Sequence, residues 1–259
     1  KMRFLIKHLI KIPILKRLIP SFFKKYIFFF KKYKKEILVN GIYFDLDLRH
    51  LIDRRFYFNS AYEDELFIPL SKIIDNHKAD FFFDVGSCWG LYSLRLSNIS
   101  KKIKILAFDP IKKNINRLNL SVNKNCIKNI NVFHTAIGNT SGTVELGATE
   151  EYSPNYEINE MNAVIKETSE IDLLDNLFDF NSKFLVFKID TEGSEYEVLK
   201  GAKKLLSNNK CFLQIEIKKD NFVNTIDLLS TLEFNQVSIN EVNKTDYFFS
   251  NFDIDKIKV

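Results

Sequence analysis

The residues able to do chemistry sit where apolar runs end. FFFDVGSCWGLYS, residues 81–93, drives three phenylalanines and then a valine past Asp84, and Gly86 and Gly90 frame Ser87, Cys88 and the chain's one tryptophan. KILAFDP closes on Asp109, and KIDTEGSEYEVLKG, residues 188–201, carries Asp190, Glu192 and Gly193 at the end of another run. Glu216 lies near the end of CFLQIEIK. A carboxylate at such a position can accept hydrogen bonds from sugar hydroxyls, take a proton, or meet a hard cation. Glycines four apart let the backbone turn tightly and approach a ligand.

These groups meet only if the apolar runs are neighbouring strands. The runs alternate with helical patterns, which predicts a mostly parallel sheet covered on both faces. Ligands of such sheets lie beyond the carboxyl ends of the strands. The glycine spacing excludes two common ligands. A dinucleotide fingerprint needs glycines at 86, 88 and 91, where the chain has Gly86, Cys88 and Leu91, and no Gly-Lys-Ser/Thr follows for a phosphate loop. A carboxylate at Asp84, an open backbone at Gly86 and Gly90, and a ribose acceptor at Asp109 fit a cationic ligand with a ribose and no phosphate. S-adenosylmethionine is such a ligand. Asp190 is the first candidate for base or metal ligand, with Glu192 and Glu216 beside it. Three carboxylates could gather Mg²⁺ through oxygen or hydrogen-bond sugar hydroxyls, and the metal-free arrangement is the one expected.

Neighbouring residues have structural readings. Ser194 can cap the helix that follows, and Glu195 and Glu197 complement its dipole. Lys188 and Lys218 flank the carboxylates and can offset their charge. His134 is read as a core histidine that could also reach adenine, and Trp89 as packing against the next helix.

At 259 residues, 46% hydrophobic and 27% charged, the chain can bury a large core. Its net charge of +5 is uneven: residues 1–35 hold twelve Lys or Arg and no acid, which leaves 26 basic against 33 acidic residues, a net of −7, for 36–259. That asymmetry argues against a nucleic-acid groove across the main body. The arm spaces Met2, Leu5, Ile6, Leu9 and Ile10 helically, is punctuated by Pro13 and Pro20, and adds Phe22, Phe23 and Phe28–Phe30. Basic residues interrupt every apolar run before the ~18 needed to span a bilayer. It reads as a basic amphipathic extension that lies on an anionic membrane or packs on protein. The cysteines Cys88, Cys126 and Cys211 are scattered singly, which fits a reducing, cytoplasmic setting, with the arm placing the protein peripherally at the inner face of the membrane.

Two domains are therefore expected, the extension 1–35 and a main domain 36–259. The main domain opens with a hairpin at 36–48 around Asn40-Gly41 and a helix within 60–78. Strands follow at 81–86, 104–110, 130–138, 184–190 and 211–218, with helices within 91–98, 111–124, 194–208 and 221–232. Residues 139–182 read as polar and irregular with strand pieces, among them a strand at 143–146, and with a short helix at 169–178. Two closing strands, within 235–242 and 246–250, must pair antiparallel because too few residues separate them for a crossover.

From about Val39 onward the sequence resembles the FkbM methyltransferases. The matching blocks are YEDEL (62–66), FFDVGSCWGLYS, AFDP (107–110), the helix with Asn119 and Asn123, TAIGN (135–139), SEIDLL (169–174), KIDTEGSEYEVLKGA (188–202) and IEIK (215–218). The resemblance implies an α/β Class I (Rossmann-like) methyltransferase fold, a mostly parallel seven-stranded sheet ending in an antiparallel hairpin. It also implies S-adenosylmethionine as donor and O-methylation of a sugar or similar hydroxyl, as in a glycan or lipid-linked saccharide. It brings Ser87 and Ala136 into the donor site beside Asp84, Gly86, Gly90 and Asp109. The family's usual Gly-Ala-Asn is Gly86-Ser87-Cys88 here, and its Glu-Pro is Asp109-Pro110, a shorter carboxylate for the same ribose role. Two other readings stay open. A nucleic-acid methyltransferase would share the fold, but the turn after the fourth strand is Asp190-Thr191-Glu192-Gly193 and not an Asp/Asn-Pro-Pro-aromatic turn. A non-catalytic membrane adaptor would have no need of Asp84, Gly86, Asp109 and Asp190.

Overall fold

A computed structural model describes residues 33–148, 156–158, 162–238 and 245–254. The basic extension, up to residue 32, lies outside the described residues. The described chain forms two compact units, one ending at Asp64 and one running from Glu65 onward.

The first unit is a hairpin and a helix. Strands β1 (Lys34–Val39) and β2 (Ile42–Asp47) pair antiparallel through Asn40 (φ 48°) and Gly41 (φ 81°), the positive φ pair that an Asn-Gly turn supplies. β1 begins at Lys34, so the last two residues of the expected extension belong to the hairpin. Helix α1 (Leu51–Asn59) follows. Its segment lacks an i, i+3, i+4 apolar stripe, so periodicity alone leaves it unassigned. It holds because Phe56 packs edge-on against Phe44 of β2 at 4.8 Å and Asp53 accepts the Asp47 N–H at 2.6 Å.

The second unit contains, in order, helix α2 (Asp64–Asn76), strand β3 (Phe81–Val85), helix α3 (Leu91–Ile99), strand β4 (Lys104–Phe108), helix α4 (Lys112–Lys124) and strand β5 (Ile130–Phe133). Strands β6 (Ala136–Ile137), β7 (Gly142–Ala148), β8 (Glu157–Ile158) and β9 (Ile165–Asp172) come next, then helix α5 (Leu174–Leu177) and strand β10 (Phe184–Ile189). Helices α6 (Glu195–Lys200) and α7 (Lys203–Ser207), strand β11 (Lys210–Glu216), helix α8 (Phe222–Thr231) and strands β12 (Asn235–Val237) and β13 (Asp246–Ser250) complete it. The main sheet is seven-stranded in the order β12-β13-β11-β10-β3-β4-β5. Pairing is parallel from β5 to β11 and antiparallel for β13 against both β11 and β12.

The period of two along these strands sorts the sheet into unlike faces. One face is apolar: Phe83, Val85, Phe187, Ile189, Leu213 and Ile215 join a buried core cluster with α6, α7 and α8. Across it Phe187 stacks on Phe83 at 4.5 Å and Phe108 on Phe133 at 4.7 Å, while Phe178 meets Phe83 edge-on at 5.4 Å. Ring pairs of this kind contribute about 0.5–1.5 kcal/mol each beyond their area. The opposite face turns polar toward the strand ends, where Asp84, Lys188 and Gln214 form one buried row.

Four expectations need correction. The run 130–138 is two strands: β5 stays in the main sheet, and the chain then turns so that β6 pairs with β9. The described residues of 139–182 are more regular than expected: β7, which contains the strand expected at 143–146, joins β8, β9 and the preceding β6 in a second, four-stranded sheet, β6-β9-β7-β8. Its β9 takes up Ser169–Asp172, so the helix expected over 169–178 shrinks to α5; Asp172 Oδ1 accepts the Leu173 N–H at 2.8 Å and marks the break. The helix expected over 194–208 is broken at Gly201 and Ala202, whose ψ values of 1° and 13° leave the helical range, and a Cβ at Gly201 would stand 1.9 Å from the Gly138 carbonyl oxygen.

Candidate active site

The chain runs outward from β3 through β4 to β5, then returns to lay β10 on the other side of β3. The switch point therefore lies between β3 and β10, where open α/β sheets bind ligands. The Gly86–Gly90 loop leaves one of these strands and Asp190 leaves the other.

The loop is shaped by its neighbours. Gly86 has φ +79°, and a Cβ there would stand 1.8 Å from the Asp190 carbonyl oxygen; Gly90 has φ +81°, and a Cβ there would stand 2.3 Å from Leu118 Cδ1 of α4. The N–H groups of Gly86 and Ser87 donate to the Phe108 carbonyl at 3.0 and 2.9 Å, and the Gly90 N–H donates to the Ser87 carbonyl at 2.7 Å. Cys88, forced to φ 51°, donates its N–H to Asp109 Oδ2 at 2.8 Å. Asp109 Oδ1 also accepts from the Ile111 N–H at 2.9 Å and Asn114 Nδ2 at 3.0 Å. Burial outweighs these donors and pushes the Asp109 carboxyl up to about 7.

Asp84 departs from its expected role. It is 1% exposed, and its Oδ2 takes the Ser93 hydroxyl at 2.6 Å and the Ser93 N–H at 3.2 Å. Burial raises its pKa, opposed by Lys188 and Ser93. Its carboxylate thus ties α3 to the sheet and presents almost no surface to a ligand.

The residues present fit an S-adenosyl donor on two observations. Ser87 Oγ is buried with no hydrogen-bond partner, an orphan that a ligand's polar group would satisfy. Asp109 Oδ2 accepts one hydrogen bond where a carboxylate oxygen takes two, which leaves a place for a ribose hydroxyl. Ala136 is buried in β6, paired with Ile171.

Asp190 and Glu216 each follow one of the paired residues Ile189 and Ile215 of β10 and β11, so their carboxyl groups lie at neighbouring strand ends. Lys188 Nζ lies 2.8 Å from Asp190 Oδ2 and holds the Asp190 carboxyl below the usual range against the cost of burial. Burial first, then the charge of Asp190, push Glu216 up to about 8, with Asp246 and Glu192 adding to the effect. The two carboxyls are thus pushed apart, Asp190 downward by Lys188 and Glu216 upward by burial and its acidic neighbours. Asp190, the expected base, therefore acts as one of an interacting pair with Glu216. Glu192, at φ 59°, is raised by burial and by Asp190. Its carbonyl accepts from Lys218 Nζ at 2.7 Å, and the same ammonium pairs with Glu157 of β8 at 2.9 Å. Among the described residues no group of three His, Cys, Asp or Glu side chains is arranged to hold a metal ion.

The surrounding residues also settle. Ser194 makes no side-chain cap; instead Glu195, 1% exposed, accepts at Oε1 from the Thr191 N–H, the Thr191 hydroxyl and the Gly193 N–H and so forms the turn. Trp89 is 4% exposed beneath Arg117 of α4, whose guanidinium lies 4.2 Å from the ring. His134 is exposed, not a core residue, and a ring nitrogen lies 2.9 Å from the Pro110 carbonyl oxygen. Lys188 is 7% exposed, far from a solvated flank. The alternation Phe187-Lys188-Ile189-Asp190 already placed Lys188 and Asp190 on one face of their strand, a signal the sequence reading left unused.

Residues 84–251 match the model of the methyltransferase FkbM domain. The chain belongs to the FkbM methyltransferase family. Its fold is the Rossmann-like methyltransferase fold, as expected. An FkbM methyltransferase from Methylobacillus flagellatus is similar at 18% identity and TM-score 0.49 over 76% of this chain, which spans about half, 52%, of that protein. A SAM-dependent methyltransferase from Aquifex aeolicus is 18% identical, with TM-score 0.41 over 72% of this chain and 90% of that one. M. jannaschii TYW2, solved with AdoMet, is 8% identical, with TM-score 0.44 over 84% of each chain. No curated protein matches this FkbM chain.

Proposed function

We propose that this FkbM methyltransferase uses S-adenosylmethionine to O-methylate a hydroxyl of a sugar, in a glycan or a lipid-linked saccharide. The observation that carries this reading is the pair of carboxylates Asp190 and Glu216 at the ends of β10 and β11, with Asp190 against the Gly86 loop at the switch point. A neutral sugar hydroxyl is a weak nucleophile, and a base whose pKa lies near the working pH helps most in removing its proton. Glu216, at about 8, is such a base.

The donor would supply an electrophilic methyl carbon. Ser87 and Asp109 hold the donor side, and the contact of Gly86 with the Asp190 carbonyl sets that side against the proton-accepting edge. The ionised fraction of Glu216, which grows as pH rises through about 8, receives the hydroxyl proton while Asp190 keeps its charge beside Lys188. The edge is acidic, with Glu157, Asp190, Glu192, Glu216 and Asp246 against Lys188 and Lys218, which favours an uncharged, hydroxyl-rich acceptor over a phosphate backbone. The basic residues 1–35 would bring the enzyme to an anionic cytoplasmic membrane face, where such acceptors are assembled.

The test is methyl transfer from labelled donor to a panel of glycan acceptors, with calorimetry of S-adenosylhomocysteine. Glu216→Gln should lower turnover about 10²-fold or more while donor affinity stays near wild type. Donor that fails to bind, or full turnover in that variant, would overturn the reading.

A further inference from the structure

The four-stranded sheet is tied to the main sheet on both sides of the switch point. Glu167 of β9 accepts the Lys112 N–H at 2.7 Å, just past Asp109 at the end of β4. Glu157 of β8 pairs with Lys218 Nζ at 2.9 Å, just past Glu216 at the end of β11. The same ammonium donates to the Glu192 carbonyl at 2.7 Å. In the main sheet β4 and β11 are separated by β3 and β10, the two strands of the switch point, a span of about 14 Å at ordinary strand spacing. β8 and β9 stand on either side of β7, about 10 Å apart by the same spacing, and the side chains of Glu157, Glu167 and Lys218 cover the rest. The second sheet therefore reaches across the crevice from one tie to the other.

Register decides which of its residues look into that crevice. Leu146 of β7 pairs with both Glu167 and Ile158, so these three share a face, and Tyr156, two residues before Ile158, joins them by the period of two. This is the face from which Glu167 reaches Lys112 at the end of β4. Tyr156 is half-buried there. Burial raises its hydroxyl pKa, and Glu167, Asp109 and Cys88 act in the same direction, so the side chain lies near both the ribose carboxylate and the glycine loop. In that loop Ser87 Oγ is buried without a hydrogen-bond partner.

We propose that Tyr156 belongs to the donor site: its ring lies over the adenosyl group of S-adenosylmethionine beside Asp109, and the second sheet is the roof that holds it there. This rests on the donor alone, not on the acceptor or on which carboxylate takes the proton. Adenine presents a flat face on which an aromatic side chain can stack. Glu157 lies between Tyr156 and Ile158, so its pair with Lys218 fixes the strand next to the ring.

Calorimetry with S-adenosylhomocysteine and with 5′-methylthioadenosine, which lacks the amino-acid end, tests this with no acceptor present. Tyr156→Ala should weaken both by about tenfold or more, while the urea midpoint, which a merely structural ring would move, stays near wild type. Tyr156→Phe keeps the ring and should bind both within about threefold of wild type. A loss confined to S-adenosylhomocysteine would put the ring at the methionine end and overturn the proposal. Equal losses in the two variants would also overturn it, because the hydroxyl and not the ring would then be at work. ¹³C-tyrosine NMR of the full chain keeps the proposal falsifiable if Tyr156→Ala folds poorly. The Tyr156 signal, assigned by its absence in Tyr156→Phe, should shift when either compound is added, and an unmoved signal would refute the contact. A wild type that binds neither compound would sink the donor site and Tyr156 with it. Failure to methylate glycans would instead sink the acceptor reading and leave these binding results in force.

Discussion

Gly86→Ala tests whether the donor loop and the catalytic edge are one mechanical unit. At φ +79° an alanine meets the left-handed penalty of about 1–2 kcal/mol. Its Cβ would stand 1.8 Å from the Asp190 carbonyl oxygen and 2.8 Å from the carbonyl carbon. That backbone must retreat by roughly 1–2 Å to reach ordinary van der Waals separation. The obstacle is strand-end backbone, tied by the Asp190 N–H to the Val85 carbonyl at 3.0 Å, so no flexible side chain can swing clear. Overpacking of this kind costs about 1–3 kcal/mol. The sum, about 2–5 kcal/mol, is a large fraction of the 5–15 kcal/mol typical of a domain. Gly142→Ala supplies the control, because Gly142 also has a positive φ (+151°) but nothing lies within 4 Å of its Cβ position. Urea unfolding with linear extrapolation should place Gly86→Ala well below Gly142→Ala in stability. The folded fraction of Gly86→Ala should also bind S-adenosylhomocysteine more weakly. If the two variants agree within about 1 kcal/mol, the contact is not a constraint and the coupling argument fails.

Other consequences follow from the same geometry. Asp109→Asn should weaken S-adenosylhomocysteine binding about tenfold or more in calorimetry, since hydrogen bonds to a charged acceptor contribute about 1.5–3 kcal/mol; wild-type affinity would remove Asp109 from the ribose. Glu216 is raised from 4.5 to about 8, so the folded state binds its proton more tightly, and the resulting stabilisation is full below about 4.5 and lost as pH rises through about 8. The urea midpoint should therefore fall between those limits, and Glu216→Gln should flatten the fall; Asp109, raised to about 7, keeps the remainder. A protein lacking residues 1–32 should keep donor binding and lose salt-sensitive binding to anionic liposomes, each Lys or Arg at the surface contributing about 1 kcal/mol. Liposome binding that survives the deletion would place the attraction elsewhere.

What the sequence determined by itself was local and periodic. Short, mostly apolar runs that end in Asp84, Asp109 and Asp190 and alternate with helical patterns read as buried parallel strands, and parallel strands bring their carboxyl ends to one edge. Asn40-Gly41 specified its hairpin turn because few other pairs accept two positive φ values. Gly86 and Gly90 announced a tight loop for the same reason, although the sequence could not say that the obstacles were Asp190 and Leu118. The tertiary structure decided everything that depends on which residues meet across distant segments. It turned Asp84 inward to Ser93 and broke a continuous helical pattern at Gly201, where the carbonyl of Gly138 leaves no room for a side chain. It also paired the sparse apolar positions of 139–172 into a second sheet. The chemistry of the edge was decided in the same way. Asp190 and Glu216 read alike as carboxylates in a sequence, and a proton's preference between them depends on desolvation and on charges a few ångströms away. The alternation along β10 sets Lys188 beside Asp190, but only strand order leaves Glu216 among other carboxylates, and no pattern within one strand records that second meeting.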